Sequence, residues 1–220
     1  MLKMKSNAEW TAFLDDYPEM ALKPSRDDSI IFKGSFKFSA QSKGGPHITD
    51  SYDLKIEFPF SFPKELPKVW ELNNKIPEGD SFHVNPDKTL CLGSPIRLLH
   101  KVNKSPTMTG FAENCLVPFL YAVSRKLKDG GDFYMGELEH GEPGIIDDYK
   151  DIFSLNDKDQ VRRLLNLLRL KKRIANKREC PCNCGKRLGK CKLRFKVNNT
   201  RKMASRSWFQ KHSSQPGSAI

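Results

Sequence analysis

Tyr52-Asp53-Leu54-Lys55-Ile56-Glu57-Phe58 decides the architecture. Tyr52, Leu54, Ile56 and Phe58 face one way and Asp53, Lys55 and Glu57 the other, and this period of two predicts a strand with one buried face. The chain then runs through Pro59, Pro63 and Pro67 to Lys68-Val69-Trp70. Each proline lacks a ladder donor and cannot sit in a central strand. The segment therefore reads as a strand, a proline-stiffened crossing and a further strand over residues 68–72. Upstream, residues 29–40 carry Ile30, Phe32, Phe36 and Phe38 and close on Ser42-Lys43-Gly44-Gly45-Pro46. Residues 89–92 form a short fourth strand candidate. Helical spacing places a helix over 7–15 (Trp10, Phe13 and Leu14 on one side), a long one over 109–128 ended by Gly130-Gly131, and a short one over 145–153. Strands first and helices after predict an α+β fold built on an antiparallel β-meander.

Composition bounds the rest. The chain has 220 residues, 38% of them hydrophobic and 14 of them Phe, which is enough for a core and excludes wholesale disorder. No window approaches 18 uninterrupted apolar residues, so no membrane span is expected. Residues 1–10 lack an apolar stretch of the secretory kind, so the expected location is cytoplasmic. The net charge of +12 suggests nucleic acid until it is divided. Residues 1–160 hold 20 Lys+Arg against 25 Asp+Glu, a net of −5, while residues 161–220 hold 18 basic residues and one acid, Glu179, a net of +17. The expected organisation is a mildly acidic body over 1–156, a basic amphipathic helix over 157–178, a cysteine-rich basic tail over 179–212 and a disordered end over 213–220. In the helix Val161, Leu164, Leu165 and Leu168, with Leu167 as a further candidate, form the apolar stripe, and Asn156 or Asp157 can cap it.

Downstream of the prolines lies His83-Val84-Asn85-Pro86-Asp87-Lys88-Thr89-Leu90-Cys91-Leu92-Gly93. A His-x-Asn precedes a turn, and a lone cysteine follows on a short apolar run. In order and spacing this resembles the ubiquitin-conjugating enzymes: Phe58-Pro59, Phe62-Pro63, Pro67-Lys68-Val69, His83, Asn85 and Cys91-Leu92 fall on that family's places. The resemblance covers about residues 29–128 and looks like a bacterial relative. Val84 stands where the family has proline, the gap from Asn85 to Cys91 is shorter, the helix after the cysteine loop lacks the family's tryptophan, and residues 130–153 match nothing in it.

The resemblance implies that Cys91 accepts a ubiquitin-like modifier as a thioester and passes it to an amine. It implies that Asn85 donates to the oxyanion or braces the loop that does, and that His83 shapes the turn. It implies as partners a ubiquitin-like protein, an activating enzyme and a deconjugating peptidase, in a bacterial conjugation system of which antiviral defence is one setting. Asp147 and Asp148 are either solvated loop charge or, as in that family, acids that lower the incoming amine's pKa. Two rival readings remain open: a cysteine hydrolase pairing Cys91 with His83 or His140, and a non-catalytic adaptor whose tail docks nucleic acid or protein. Cys115, on the apolar face of the long helix, reads as core.

In the tail, Cys180, Cys182, Cys184 and Cys191 put four thiols within twelve residues. Tetrahedral zinc asks for four ligands with sulfur at about 2.3 Å, and closely spaced cysteines with an intervening glycine allow it. The run resembles the small zinc-binding (SEC-C) motif that ends the SecA translocase. Cys180, Cys182 and Cys191 fall on three ligands there. Lys192 occupies the fourth place and cannot ligate when charged; Cys184 or, less simply, His212 replaces it. With four cysteines used, such a zinc is structural. Residues 192–212 interleave basic residues with aromatics, Trp208 and Phe209 near the end, a composition that can bind nucleic acid or an acidic protein.

Overall fold

The computed structural model describes residues 7–24, 28–131, 133 and 142–212. The chain divides into two compact units: 1–93 with 101–137, and 94–100 with 138–220.

The first unit opens with α1 (Asn7–Asp16) and a four-stranded antiparallel sheet, β1 (Met20–Lys23), β2 (Ser29–Gln41), β3 (His47–Pro59) and β4 (Lys68–Glu71), in the order β1-β2-β3-β4. Alternation makes the sheet one-sided. The register sets Ile30 opposite Phe58, Phe32 opposite Ile56 and Phe36 opposite Tyr52, and these side chains are all buried. The neighbouring pairs Ile31–Glu57 and Lys33–Lys55 carry charge on the other face. On the buried face Phe13 of α1 stands 4.7 Å from Phe32 and 6.0 Å from Phe58 between ring centroids. Gly34 is required where β2 passes the start of β1: its φ is +150°, and a Cβ there would lie 2.2 Å from the Glu19 carbonyl oxygen.

The crossing between β3 and β4 is as expected from its prolines, with Phe62 turned inward onto Phe58 at 5.3 Å. The long helix is a composite of α3 (Met108–Phe111), a π turn (Ala112–Leu116) and α4 (Val117–Asp129), closed by Gly130 at φ +71°. Pro118, without an N–H, begins α4 just after the wide turn. Cys115 is buried in that turn, in the core. Ser124 Oγ donates to Asp50 Oδ2 (2.7 Å), which leaves its lone pair for the Tyr52 hydroxyl (2.7 Å). The network satisfies a buried phenol and fixes α4 on β3.

Phe58 is fully buried at the centre of this face. Phe58→Ala is expected to cost about 3–5 kcal/mol in transfer and cavity terms. Lys33→Ala, exposed on the opposite face, should stay within about 0.5 kcal/mol. Urea unfolding midpoints compare the two.

The structure departs from expectation in three places. Residues 89–92 make no strand; Thr89 and Leu90 only bridge singly to Trp70 and Val84. The β1 strand and α2 (Pro95–Lys104), divided between the units after His100, were not expected. The basic helix does not run to residue 178.

In the second unit, α5 (Glu142–Phe153) is followed by α6 (Lys158–Arg169), whose N-cap Asp157 accepts the Gln160 N–H at 2.8 Å. The helix stops where its stripe stops. Leu164 and Leu168 are fully buried, Leu170 turns extended (φ −83°, ψ 157°), and no residue is buried again until Ala175 in the single turn α7 (Lys172–Ala175). The tail then folds: α8 (Leu193–Met203) and α9 (Arg206–His212) bury Leu193, Val197, Thr200, Trp208 and Phe209. Trp208 and Phe209 are 5% and 1% exposed, so they are core and cannot stack on bases. Residues 213–220 and His140 lie outside the described residues. No described helix is long and apolar enough to cross a membrane.

Candidate functional site

Two clusters hold the chemistry-bearing residues, one in each unit. In the first, Leu90 N–H donates to Val69 O at the outer side of β4 (2.8 Å), and Val84 pairs with Leu90. Between them the chain makes a tight turn in which Asn85 N–H donates to Thr89 O (2.9 Å) and Lys88 N–H to Asn85 O (2.8 Å). Pro86 at the second turn position presets φ, and Lys88 takes the left-handed φ of 63° that closes it. The side chains repeat the pattern. Asn85 Nδ2 donates to Thr89 Oγ1 (2.9 Å), whose hydroxyl donates to Asp87 Oδ1 (2.5 Å). The Thr89 hydroxyl thereby holds the Asp87 carboxyl below its ordinary range. Thr89 and Asp87, which the motif reading passed over, complete the turn.

Cys91 follows, with its N–H donated to His83 O at 2.7 Å. His83 is left-handed (φ 55°), and its ring meets Phe133 edge-on at 4.6 Å. Thus the three residues singled out by spacing are brought together in one hairpin. His83 positions Cys91 through its carbonyl. Asn85 is exposed and braces the turn, with the second of its two amide hydrogens not used by Thr89. The Cys91 thiol is half-buried; burial pushes it above its ordinary range, partly opposed by the Gly93 N–H. It is a partly exposed thiol kept largely protonated near neutrality.

In the second unit, the Sγ atoms of Cys180, Cys182, Cys184 and Cys191 all lie within 4.8 Å of one another. Cys180–Cys182 is 3.1 Å and Cys182–Cys191 3.6 Å. Disulfide sulfurs lie about 2.05 Å apart, whereas a tetrahedron of sulfurs at about 2.3 Å from a metal has edges of about 3.8 Å. The donor set fits a metal ion. The hairpin is held by Cys180 N–H to Lys186 O (2.9 Å) and Leu188 N–H to Arg178 O (2.9 Å), and Leu193 N–H points at Cys191 Sγ (3.4 Å). Gly189 permits the closest approach: its N–H reaches Asn176 O at 3.0 Å, and a Cβ would meet that oxygen at 2.8 Å. Arg163 of α6 clamps the loop, donating to Asn183 Oδ1 (2.7 Å) and Pro181 O (3.4 Å). Sequence gave Arg163 only as one charge beside an apolar stripe. His212 is spent otherwise: its ring stacks on Trp208 at 3.9 Å and Nδ1 meets Trp208 O at 2.8 Å.

The two acids Asp147 and Asp148 are held by partners of their own. Asp148 is fully buried and holds Ser94 Oγ and Arg97, whose Nε donates at 2.6 Å, while Asp147 pairs with Lys150 at 2.9 Å. His100, without a legible partner in the sequence, meets Thr200 Oγ1 at 3.3 Å.

Because burial holds the Cys91 thiol above its ordinary range, its labelling by iodoacetamide at pH 7, read by peptide mass spectrometry, is expected to be slow and to rise steeply with pH, since the thiolate is the nucleophile.

No protein-family model, no curated protein and no solved structure matches this chain.

Proposed function

We propose that the protein is a ubiquitin-conjugating-enzyme-like transferase that carries a ubiquitin-like modifier on Cys91, with a structural zinc in its basic tail. The observation that carries the reading is the hairpin that delivers a half-exposed Cys91 thiol from the carbonyl of His83, beside the Asn85–Thr89 turn. In loading, Cys91 Sγ attacks the thioester carbonyl of a modifier held by an activating enzyme. A new C–S bond forms, the old one breaks, and the departing thiolate takes up the Cys91 proton. In transfer, an amine attacks the same carbonyl; the C–N bond forms, the C–S bond breaks, and the proton lost by the amine returns to the Cys91 thiolate through solvent. Burial that raises the thiol disfavours the free thiolate, so it favours keeping the modifier on Cys91 until an amine attacks. Asn85 sits one turn away, with an amide hydrogen left to stabilise the oxyanion or a loop to brace.

Zinc is supported by the four convergent sulfurs. Cys180, Cys182, Cys184 and Cys191 would hold it with no open position, so its contribution is to order the loop. The test mixes purified protein with candidate ubiquitin-like protein, activating enzyme and ATP, and reads a reductant-sensitive adduct on non-reducing gels.

A further inference from the structure

We infer that the second unit binds the phosphodiester backbone of nucleic acid, without reading its sequence, through a cleft beside the four-cysteine hairpin. This stands independently of Cys91.

The cleft, of about 340 Å³, is lined by Arg173, Ile174, Lys177 and Arg178. These positions are one, four and five residues apart from Arg173 on consecutive turns: Asn176 N–H bonds to Lys172 O, Lys177 N–H to Ile174 O and Arg178 N–H to Ala175 O, each at 3.0 Å. The i, i+4 spacing sets Arg173 and Lys177 on one side of a short helical ramp, and Arg178 lines the same cleft from the next position. The ramp is fixed from behind. Ala175 is fully buried, Asn176 O takes the Gly189 N–H and Arg178 O takes the Leu188 N–H. The three cations are exposed, and among the described residues no carboxylate pairs with them. Glu179, the one acid after residue 160, does not line the cleft.

The charge extends past the cleft. Residues 171–196 hold 11 Lys+Arg and one acid, a net of +10, or +8 with four thiolates around Zn²⁺. Lys186 and Arg187 are exposed on the segment that bridges singly to Glu179. Such a surface needs a polyanion, and the choice of polyanion turns on what is missing. Protein partners dock through a central apolar or aromatic anchor, with charge depleted at the core of the interface. Ile174 is the one apolar residue lining the cleft, Trp208 and Phe209 are buried in the unit's own core, and the exposed Phe195 does not line the cleft and lies under the Arg194 guanidinium at 4.6 Å. A cluster of cations without an anchor suits phosphates, whose attraction comes from charge and counterion release. The cations of the ramp are positioned but aimed at no base-specific geometry, so affinity is expected to be independent of sequence.

The experiment uses the full chain and a fluorescein-labelled 20-bp DNA duplex in anisotropy titrations between 50 and 200 mM KCl. The wild-type protein should bind in the micromolar range at 50 mM, with log K falling linearly against log salt. Arg173→Gln/Lys177→Gln/Arg178→Gln should weaken binding at least tenfold at 50 mM and lower the salt slope by about 2–3, at about 0.9 per lost phosphate contact. Lys33→Gln/Lys64→Gln/Lys68→Gln removes the same charge from exposed positions of the first unit and should change affinity less than twofold. Circular dichroism melting of both triples should match wild type, since all six side chains are exposed. Cys91→Ala should bind DNA normally, which separates this inference from the transferase reading. Three results overturn it: no binding at 50 mM KCl, equal losses in the two triples, or displacement of the duplex by poly-glutamate as effectively as by unlabelled duplex at equal charge. The last would assign the cleft to an acidic protein.

Discussion

Cys91→Ala will form no reductant-labile adduct with a ubiquitin-like protein, its activating enzyme and ATP, whereas wild type will form one that dithiothreitol removes. Cys91→Ser will exchange it for an oxygen ester that survives dithiothreitol and yields to hydroxide. The effect is expected to be all-or-none, because the thiol is the only group at the end of the hairpin that can become the acyl carrier. Cys91 is half-buried and its N–H is tied to His83 O, so serine fits the site with its backbone bond kept and loss of folding does not explain a loss of adduct. Cys115→Ser supplies the contrast, since that thiol is 1% exposed in the π turn and burial pushes it up to about 11. It should leave adduct formation intact in whatever protein remains folded. Rival readings give different results with the same reagents. A hydrolase cleaves an activated ester without the activating enzyme and ATP. An adaptor binds the modifier equally as wild type and Cys91→Ala. An adduct equally present in Cys91→Ala would remove the transferase reading.

What the sequence made legible follows from which physical signal was strong. β3 was readable because Tyr52, Leu54, Ile56 and Phe58 alternate without interruption, and a one-residue slip would expose all four. The crossing was readable because proline excludes itself from a ladder. The hairpin around Cys91 was found as a motif, but the strand expected over residues 89–92 does not form. Residues 89–92 are too few to form a ladder, and Thr89 and Leu90 take up single bridges instead. The helix α2 had a usable signal in Ser94-Pro95, a cap residue followed by proline at the first helical position, with Ile96, Leu99 and Val102 on one face. The neighbouring motif drew the reading past it. The tail was misjudged for another reason. Its Leu193, Val197, Thr200 and Ala204 lie at helical spacing and are all buried, yet eleven cations between residues 171 and 196 make the stretch look like solvated charge. Charge density reports the surface of such a helix and is silent about its inner face. Contacts distant in sequence, such as Arg163 to Asn183 or His100 to Thr200, leave no periodic trace.

Removing the metal should melt the four-cysteine hairpin while leaving the β-sheet intact. Protein purified without chelator is expected to carry one zinc per chain, read by elemental mass spectrometry. Cys180→Ser, Cys182→Ser, Cys184→Ser and Cys191→Ser should each lose most of it, and Cys115→Ser and His212→Ala should lose none. The Cys184 and His212 variants decide the fourth ligand: the four sulfurs lie together, while His212 is stacked on Trp208. Magnitudes argue for a large effect. Ordering the twelve residues from Cys180 to Cys191 costs about 12–24 kcal/mol of backbone entropy, at about 1–2 kcal/mol each. The backbone bonds that hold the loop from Lys186, Arg178 and Asn176 return about 1 kcal/mol apiece. Burying Leu188, which is fully enclosed, adds about 1.5–3 kcal/mol. These contributions leave a deficit that a structural zinc, at about 10–16 kcal/mol, can offset. Hydrogen exchange after treatment with a zinc chelator should therefore show loss of protection at the amides of Cys180, Leu188 and Gly189, with Phe32 and Ile56 in the sheet unchanged. Acid should do the same as chelator, because the ligands are thiolates and protonation competes with the metal as pH falls. If those amides stay protected without zinc, the loop is held by its own packing and the metal has no structural role.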